Sequence, residues 1–186
     1  MRFVETPIAG VVRIEVDRIE DDRGYFGRTW CEREFADAGL AVRWRQGNVG
    51  SSLRRGTLRG MHFQRPPHEE VKLVRCTRGS VFDVAIDLRP ASSTFGGWTA
   101  AELSWKNGSM LHIPAGCAHG YLTLADETEI LYLTSAFYRA DAAAGVRHDD
   151  PGFGIEWPIP IEVISEQDRT WPMWDDSAGT THGRET

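Results

Sequence analysis

The strongest constraint on this chain is its punctuation. Short apolar runs alternate with turn signals through most of its length. "GVVRIEV", "GTLRGMHFQ", "VKLVRC" and "SVFDVAIDLR" read as strands, and so do "WTAAELSW", "SMLHIP", "GYLTLA" and "EILYLTSAFY". Between them stand "DDRG", "TRGS", "FGG", "KNGS", "PAG" and "LADE". Eight or more strands at this spacing predict a mainly all-β fold, an antiparallel sandwich or barrel. Only "CEREFADAGL" carries a helical period, with Phe35 and Leu40 on its apolar side and Gly39 near its stop. From about Asp141 the chain is rich in Pro, Gly and Trp, which predicts long connections packed on the surface. A single domain over 1–174 is expected, with 175–186 as a flexible tail.

Composition then removes several function classes. The net charge of -6 gives no overall attraction for nucleic acid, although a few local arginines can still hold one nucleotide. The three cysteines, Cys31, Cys76 and Cys117, are odd in number and form no CxxC pair. That argues against a disulfide framework or thiolate zinc and suits a reducing cytoplasm. The uncharged stretch 107–125 holds Pro114, three glycines and two histidines, so it does not read as a membrane span. The start, "MRFVETPIAG", has no apolar core of a signal peptide.

Strand alternation assigns faces. Lys72, Val74 and Cys76 share one side of their run. Val81, Asp83, Ala85 and Asp87 share one side of the next, opposite Phe82, Val84, Ile86 and Leu88. Ile130, Tyr132 and Thr134 go together. Both sides carry apolar groups, so both are covered, and polar groups on a covered face need partners. His62, Lys72, Asp83 and Tyr132 are therefore singled out.

Metal and nucleophilic chemistry fit poorly. Cupin metal sites pair two histidines one residue apart, then a glutamate and a distant histidine. Here His62 and His68 are six apart with two prolines between them, so no bound metal is expected. Cys117 near His119 reads as a small buried apolar group rather than a nucleophile. No GxSxG elbow, Walker loop or GxGxxG stretch occurs. Proton transfer remains. A histidine titrates near neutrality, at about 6.5, and suits a general base. A lysine can hold an enolate oxygen, and a tyrosine can return a proton from the opposite side. Taken singly, His62 also reads as a satisfied core histidine, Lys72 as an edge charge and Tyr132 as a core aromatic.

Longer motifs decide between these readings. "GTLRGMHFQRPP", "KLVRCTRGSVFDVAIDLRPASSTFG", "IPAGCAHGYLTL" and "HDDPGFGIEWP", with "DDRGYF" before them and "ISEQD" after, closely resemble the dTDP-4-dehydrorhamnose 3,5-epimerase family over residues 5–172. The resemblance implies an antiparallel cupin-like jelly roll with a few short helices, needing no metal or cofactor. It implies a homodimer whose early strand crosses to the partner. The activity implied is epimerisation of carbon 3, carbon 5 or both in a nucleotide-diphosphate 4-keto-6-deoxyhexose. His62 then takes the base role with Asp168 as its partner. Lys72 steadies the enolate oxygen, and Tyr132 is the acid on the far face. The resemblance gives Arg23 and Phe26 to the nucleotide, in the neighbouring subunit's site, and Gln46, Asn48 and Arg59 to the diphosphate and sugar. His119 and Tyr138 line the sugar pocket.

The chain also departs from the family pattern. Arg28 stands where dTDP-using members carry a glutamate, Gly47 where they carry aspartate, and Leu133 where a lysine is common. Val71 replaces a glycine. These changes leave the nucleotide open among dTDP, CDP and GDP, and leave open whether one centre or two are inverted. A binding protein that keeps the fold without the chemistry is a further alternative.

Overall fold

The computed structural model describes residues 1–40 and 43–174. The expected tail at 175–186 lies outside the described residues. Among the described residues, fourteen strands and two short helices follow in order. β1 (Arg2–Glu5), β2 (Val12–Glu15), β3 (Arg18–Asp21) and β4 (Gly24–Gly27) precede α1 (Glu32–Asp37). β5 (Gln46–Ser52), β6 (Thr57–Gln64), β7 (Lys72–Arg78), β8 (Ser80–Asp87) and β9 (Trp98–Ser104) come next. β10 (Met110–Ile113), β11 (Cys117–Thr123), β12 (Thr128–Thr134), β13 (Ala143–Gly145), β14 (Val163–Ile164) and α2 (Glu166–Arg169) complete the chain.

Two sheets carry the fold. One runs β1-β2-β10-β7-β12-β5, the other β13-β6-β11-β8-β9 with β14 added parallel to β6. Every other pairing is antiparallel. From β6 to β12 the chain changes sheet at each connection except the β8–β9 hairpin. This is the expected jelly roll. It explains how His62 on β6 and Lys72 on β7, ten residues apart, come to face each other from different sheets.

The alternation read from sequence is the alternation observed. Val74, Cys76, Val81, Ala85, Tyr121 and Ile130 meet between the sheets, with Tyr132 packed against them. Val84, Ile86 and Leu88 point outward and are covered by Phe153, Trp157 and Trp174 from the C-terminal connections. The outer face of the first sheet is covered by α1, whose Phe35 is 1% exposed among Val12, Ile14, Leu73 and Met110. Burying one such ring stabilises the fold by about 1.5–3 kcal/mol. Glu32 and Glu34 sit at the positive end of α1. Gly39, at φ +73°, ends it as expected, with Leu40 N–H donating back to the Phe35 carbonyl.

Two differences from the sequence reading matter for the site. "QGNVGSS" carries little strand propensity, yet it forms β5, paired along its whole length with β12. The run "EILYLTSAFY" stops being strand at Thr134, whose hydroxyl donates to the Ala136 carbonyl. The segment beyond carries Tyr138 away from the sheet.

Candidate active site

A cleft of about 710 Å³ opens between the two sheets. His62, Lys72, Tyr132 and Asp168 all line it, as do Arg59, His119 and Tyr138. His62 and His119 are directly opposed on β6 and β11. Lys72 and Tyr132 face them from the other sheet. Tyr132 opposes Val74 and Lys72 opposes Thr134, so lysine and tyrosine are diagonal neighbours on one face.

A bulge explains why Arg59 shares the cleft with His62. They are three positions apart, so plain alternation would put them on opposite faces. The β6–β11 register shifts between His119, paired with His62, and Tyr121, paired with Arg59. The extra residue on β6 turns both side chains inward. Glycine makes this possible. A Cβ on Gly120 would lie 2.5 Å from the Met61 sulfur and 2.8 Å from Gly60 Cα.

His62 Nε2 and Asp168 Oδ1 are 2.6 Å apart. The imidazole is 45% exposed toward the cleft, while the carboxylate is 7% exposed. Asp168 also accepts from Trp171 Nε1 at 3.2 Å and from the Gly60 amide at 3.4 Å. Burial works against its charge, but the bond to His62 and these two donors outweigh it and hold Asp168 below the usual carboxylate range. An ionised Asp168 accepts from Nε2–H, which leaves Nδ1 of His62 with the free lone pair. Asp168 is placed by α2, where the Ser165 hydroxyl caps the helix by accepting from the Asp168 amide at 3.0 Å. The S-x-x-D spacing of "SEQD" carries that signal in the sequence.

Lys72 is 6% exposed. Its Nζ lies 3.2 Å from Glu70 Oε1 and donates to the His62 carbonyl at 3.2 Å. Burial first, and the Glu70 charge next, push the Tyr132 phenol up, while Arg59 pulls it down. The phenol therefore keeps its proton to a higher pH than a free tyrosine does. On the floor, His119 Nε2 pairs with Asp83 Oδ1 at 2.8 Å, and Asp83 is wholly buried. This gives Asp83 the partner its covered position demanded. Burial raises the neighbouring Tyr121 phenol to about 12. Burial likewise raises the Cys117 thiol to about 12, which leaves no thiolate for nucleophilic attack.

The arrangement matches known proteins along nearly its whole length. Residues 5–176 match the profile of the dTDP-4-dehydrorhamnose 3,5-epimerase family. The enzyme of that name from Methanothermobacter thermautotrophicus is 44% identical over 173 residues, 91% of this chain and 92% of its own. The chain belongs to the dTDP-4-dehydrorhamnose 3,5-epimerase family. The Bacillus anthracis enzyme, solved with TDP and pyrophosphate bound, superposes with a TM-score of 0.90 at 34% identity, covering 93% of this chain and 99% of its own. A 3'-monoepimerase from Streptomyces bikiniensis, solved with dTDP-quinovose, superposes with a TM-score of 0.85 at 31% identity, covering 91% and 86%.

Membership in the family makes the protein a carbohydrate epimerase, an isomerase. Four of the residues that the family resemblance singled out lie outside this epimerase's own cleft. Gln46 acts one step away, accepting from the Tyr138 amide at 2.6 Å and so fixing the segment at the cleft mouth. Asn48 opposes Tyr132 on the edge strand β5. Arg23 and Phe26 sit on the β3–β4 hairpin, which rests on the Trp105 carbonyl through Arg18 and Tyr25. Arg23 is paired with Asp21 at 2.5 Å, and Phe26 is 69% exposed. Arg28, the departure nearest the expected nucleotide contacts, pairs with Glu34 of α1 at 3.0 Å. Gly47 and Leu133 are opposed in register, and a Cβ on Gly47 would lie 3.3 Å from Leu133 Cδ2. These two departures therefore fit one another. Sequence reasoning gave no role to Glu70, Gln64 or Trp171. Only their contacts reveal them.

Proposed function

We propose that the protein inverts carbon 3 and then carbon 5 of a dTDP-linked 4-keto-6-deoxyhexose. The ketone at carbon 4 acidifies both neighbouring C–H bonds. Nδ1 of His62 takes the proton, and the C–H electron pair moves into an enolate with its charge on oxygen 4. Asp168 steadies the imidazolium that results. The Lys72 ammonium holds the enolate oxygen. Tyr132 donates its proton to the opposite face of the carbon, and solvent re-protonates the phenolate and relieves the imidazolium. One observation carries this reading: a partly exposed imidazole on one sheet and a phenol on the other line one cleft, with a lysine beside the phenol.

The nucleotide assignment rests on TDP in the Bacillus anthracis relative and dTDP-quinovose in the Streptomyces bikiniensis relative. Arg28 is consistent with it, because Glu34 of the same chain answers its charge. Arg59 supplies the local cation for the diphosphate. His119 and Tyr138 border the sugar. The protein acts as a homodimer of single-domain chains spanning 1–174. Its β3–β4 hairpin, with Arg23 and Phe26, then serves the partner's cleft. That hairpin exposes Ile19 at 72% as well as Phe26, and neither Arg23 nor Phe26 lines its own cleft. Among the described residues no helix is long and apolar enough to cross a membrane. The three free cysteines fit the cytoplasm.

The monoepimerase relative supports a second reading, inversion at one centre only. Wash-in from heavy water separates the two. With dTDP-4-keto-6-deoxyglucose, deuterium at carbons 3 and 5 is expected. Label at one carbon selects the second reading. No label with dTDP, CDP or GDP sugars, despite binding, would leave a sugar-nucleotide binder without catalysis.

A further inference from the structure

Two carboxylates of the described residues line the cleft, and they have different neighbours. Asp168 faces His62. Glu70 faces Lys72, with its Oε1 at 3.2 Å from Nζ, and its side chain is 11% exposed. Its other oxygen is also taken: Oε2 accepts from Gln64 Nε2 at 3.0 Å. Both oxygens of Glu70 are thus engaged by groups of the protein itself. The residue is built into the wall.

Gln64 anchors that wall. Its amide nitrogen also donates to the His68 carbonyl at 2.9 Å and to the Phe137 carbonyl at 3.2 Å. Its oxygen accepts from the Arg139 amide at 2.6 Å. One buried glutamine thus ties Glu70 to the segment that carries Tyr138. The lysine is held from two directions, by Glu70 and by the His62 carbonyl, which leaves its third N–H for the cleft. A flexible four-carbon stem is fixed before substrate binds.

We propose that Glu70 is the positioning residue of this site: it aims Lys72 at the enolate oxygen. The inference rests on the reading of Lys72 and Tyr132 given above. A negative charge on that wall opposes a second one on the phenol. Its effect on Tyr132 is second only to burial. The other charged or titratable groups around the phenol come from every neighbouring element. Arg59 and His62 project from β6, Lys72 from β7, Asp83 from β8, His119 and Tyr121 from β11 and Asp168 from α2, with Tyr138 at the mouth. Arg59 opposes Glu70, and all of these stay in place when Glu70 is changed.

The test is Glu70→Gln in the full chain, with Glu70→Ala as the second variant should the first not fold. Tyrosines labelled with ¹³C at Cζ are titrated by NMR, and Tyr132→Phe assigns the resonance. Loss of the charge is expected to lower the pH at which Tyr132 ionises. In turnover, kcat is expected to fall about ten-fold with KM within about two-fold, because the lost contact acts on the transition state. The alkaline limb of kcat should move to lower pH with the phenol. Wild-type kcat and KM in a folded variant overturn the proposal. A wild-type protein without epimerase activity would strike the functional reading; the Tyr132 titration, which needs no turnover, then decides whether Glu70 acts on the site, and an unchanged titration in both variants overturns the proposal.

Discussion

Two histidine–aspartate pairs share the cleft from adjacent strands, and they are built differently. His62 is 45% exposed and its Asp168 partner has two further donors, Trp171 and Gly60. His119 is 8% exposed and its Asp83 partner is wholly buried. One oxygen of Asp83 has no partner, and no other bond to that carboxylate is made among the described residues. The same chemical pair is thus open to substrate and well supported in one place, closed and singly supported in the other. The difference teaches what each can do. An imidazole that exchanges protons needs access, and its carboxylate must survive the exchange without it. A pair locked on the floor holds shape, because breaking it strands a buried charge.

Removing each histidine should separate the two roles. His62→Ala is expected to cut turnover and solvent exchange about 10²–10⁴-fold. Thermal stability should fall by less than in His119→Ala, since Asp168 keeps two donors and the lost side chain was half in solvent. Steady-state kinetics and deuterium wash-in check the first expectation, and calorimetry the second. Near wild-type exchange would take His62 out of the base role. His119→Ala should cost more stability, about 3–5 kcal/mol, as an uncompensated carboxylate is left buried. Urea unfolding at pH 7 measures this. Equal losses for the two variants would erase the contrast.

Acid sharpens the same comparison. Asp168 is held below its unfolded value, so its contribution to stability is fully present above about pH 5, where the unfolded carboxyl is almost wholly ionised. That contribution fades as pH falls through the folded value. Wild type should therefore exceed Asp168→Asn in stability at neutral pH, with the gap closing below about pH 4. A gap constant with pH would show that the carboxylate's charge is not what the site holds.

Much of the fold and the cleft is legible in the residues themselves, for particular reasons. In β7 and β8 apolar residues fall on both faces, yet the two-residue period of a strand still groups Lys72, Val74 and Cys76, and Val81, Asp83 and Ala85, as the two inward sets. Asp83 declares its need for a partner by sitting on a covered face. Three things stay hidden. β5 is strand because β12 pairs with it, not because Gly, Asn and Ser prefer it. The bulge opposite Gly120 is a local break in periodicity, and periodicity is the signal a sequence carries. Glu70, in a loop, and Gln64, at the end of β6, act through side-chain contacts for which spacing offers no rule. The roles of His62 and Asp168, 106 residues apart, are carried by family motifs alone.

The smallest effect probes how the open pair is supported from below. Asp168 belongs to a helix of four residues, too short to hold itself. Its position depends on the Ser165 hydroxyl, which satisfies the Asp168 amide at the first turn. Ser165→Ala removes that bond and no group in the cleft's chemistry. The cost should be about 0.5–2 kcal/mol. Within the comparison this loss has a direction: it loosens the carboxylate and leaves the imidazole untouched. The His62–Asp168 contact at 2.6 Å should weaken, and exchange should slow a few-fold, while the His119–Asp83 pair feels nothing. Amide hydrogen exchange at 166–170, read beside wash-in rates, tests both halves. If the amides open faster but wash-in holds its wild-type rate, Asp168 is positioned by Trp171 and Gly60 instead, and the cap is a feature of the helix only.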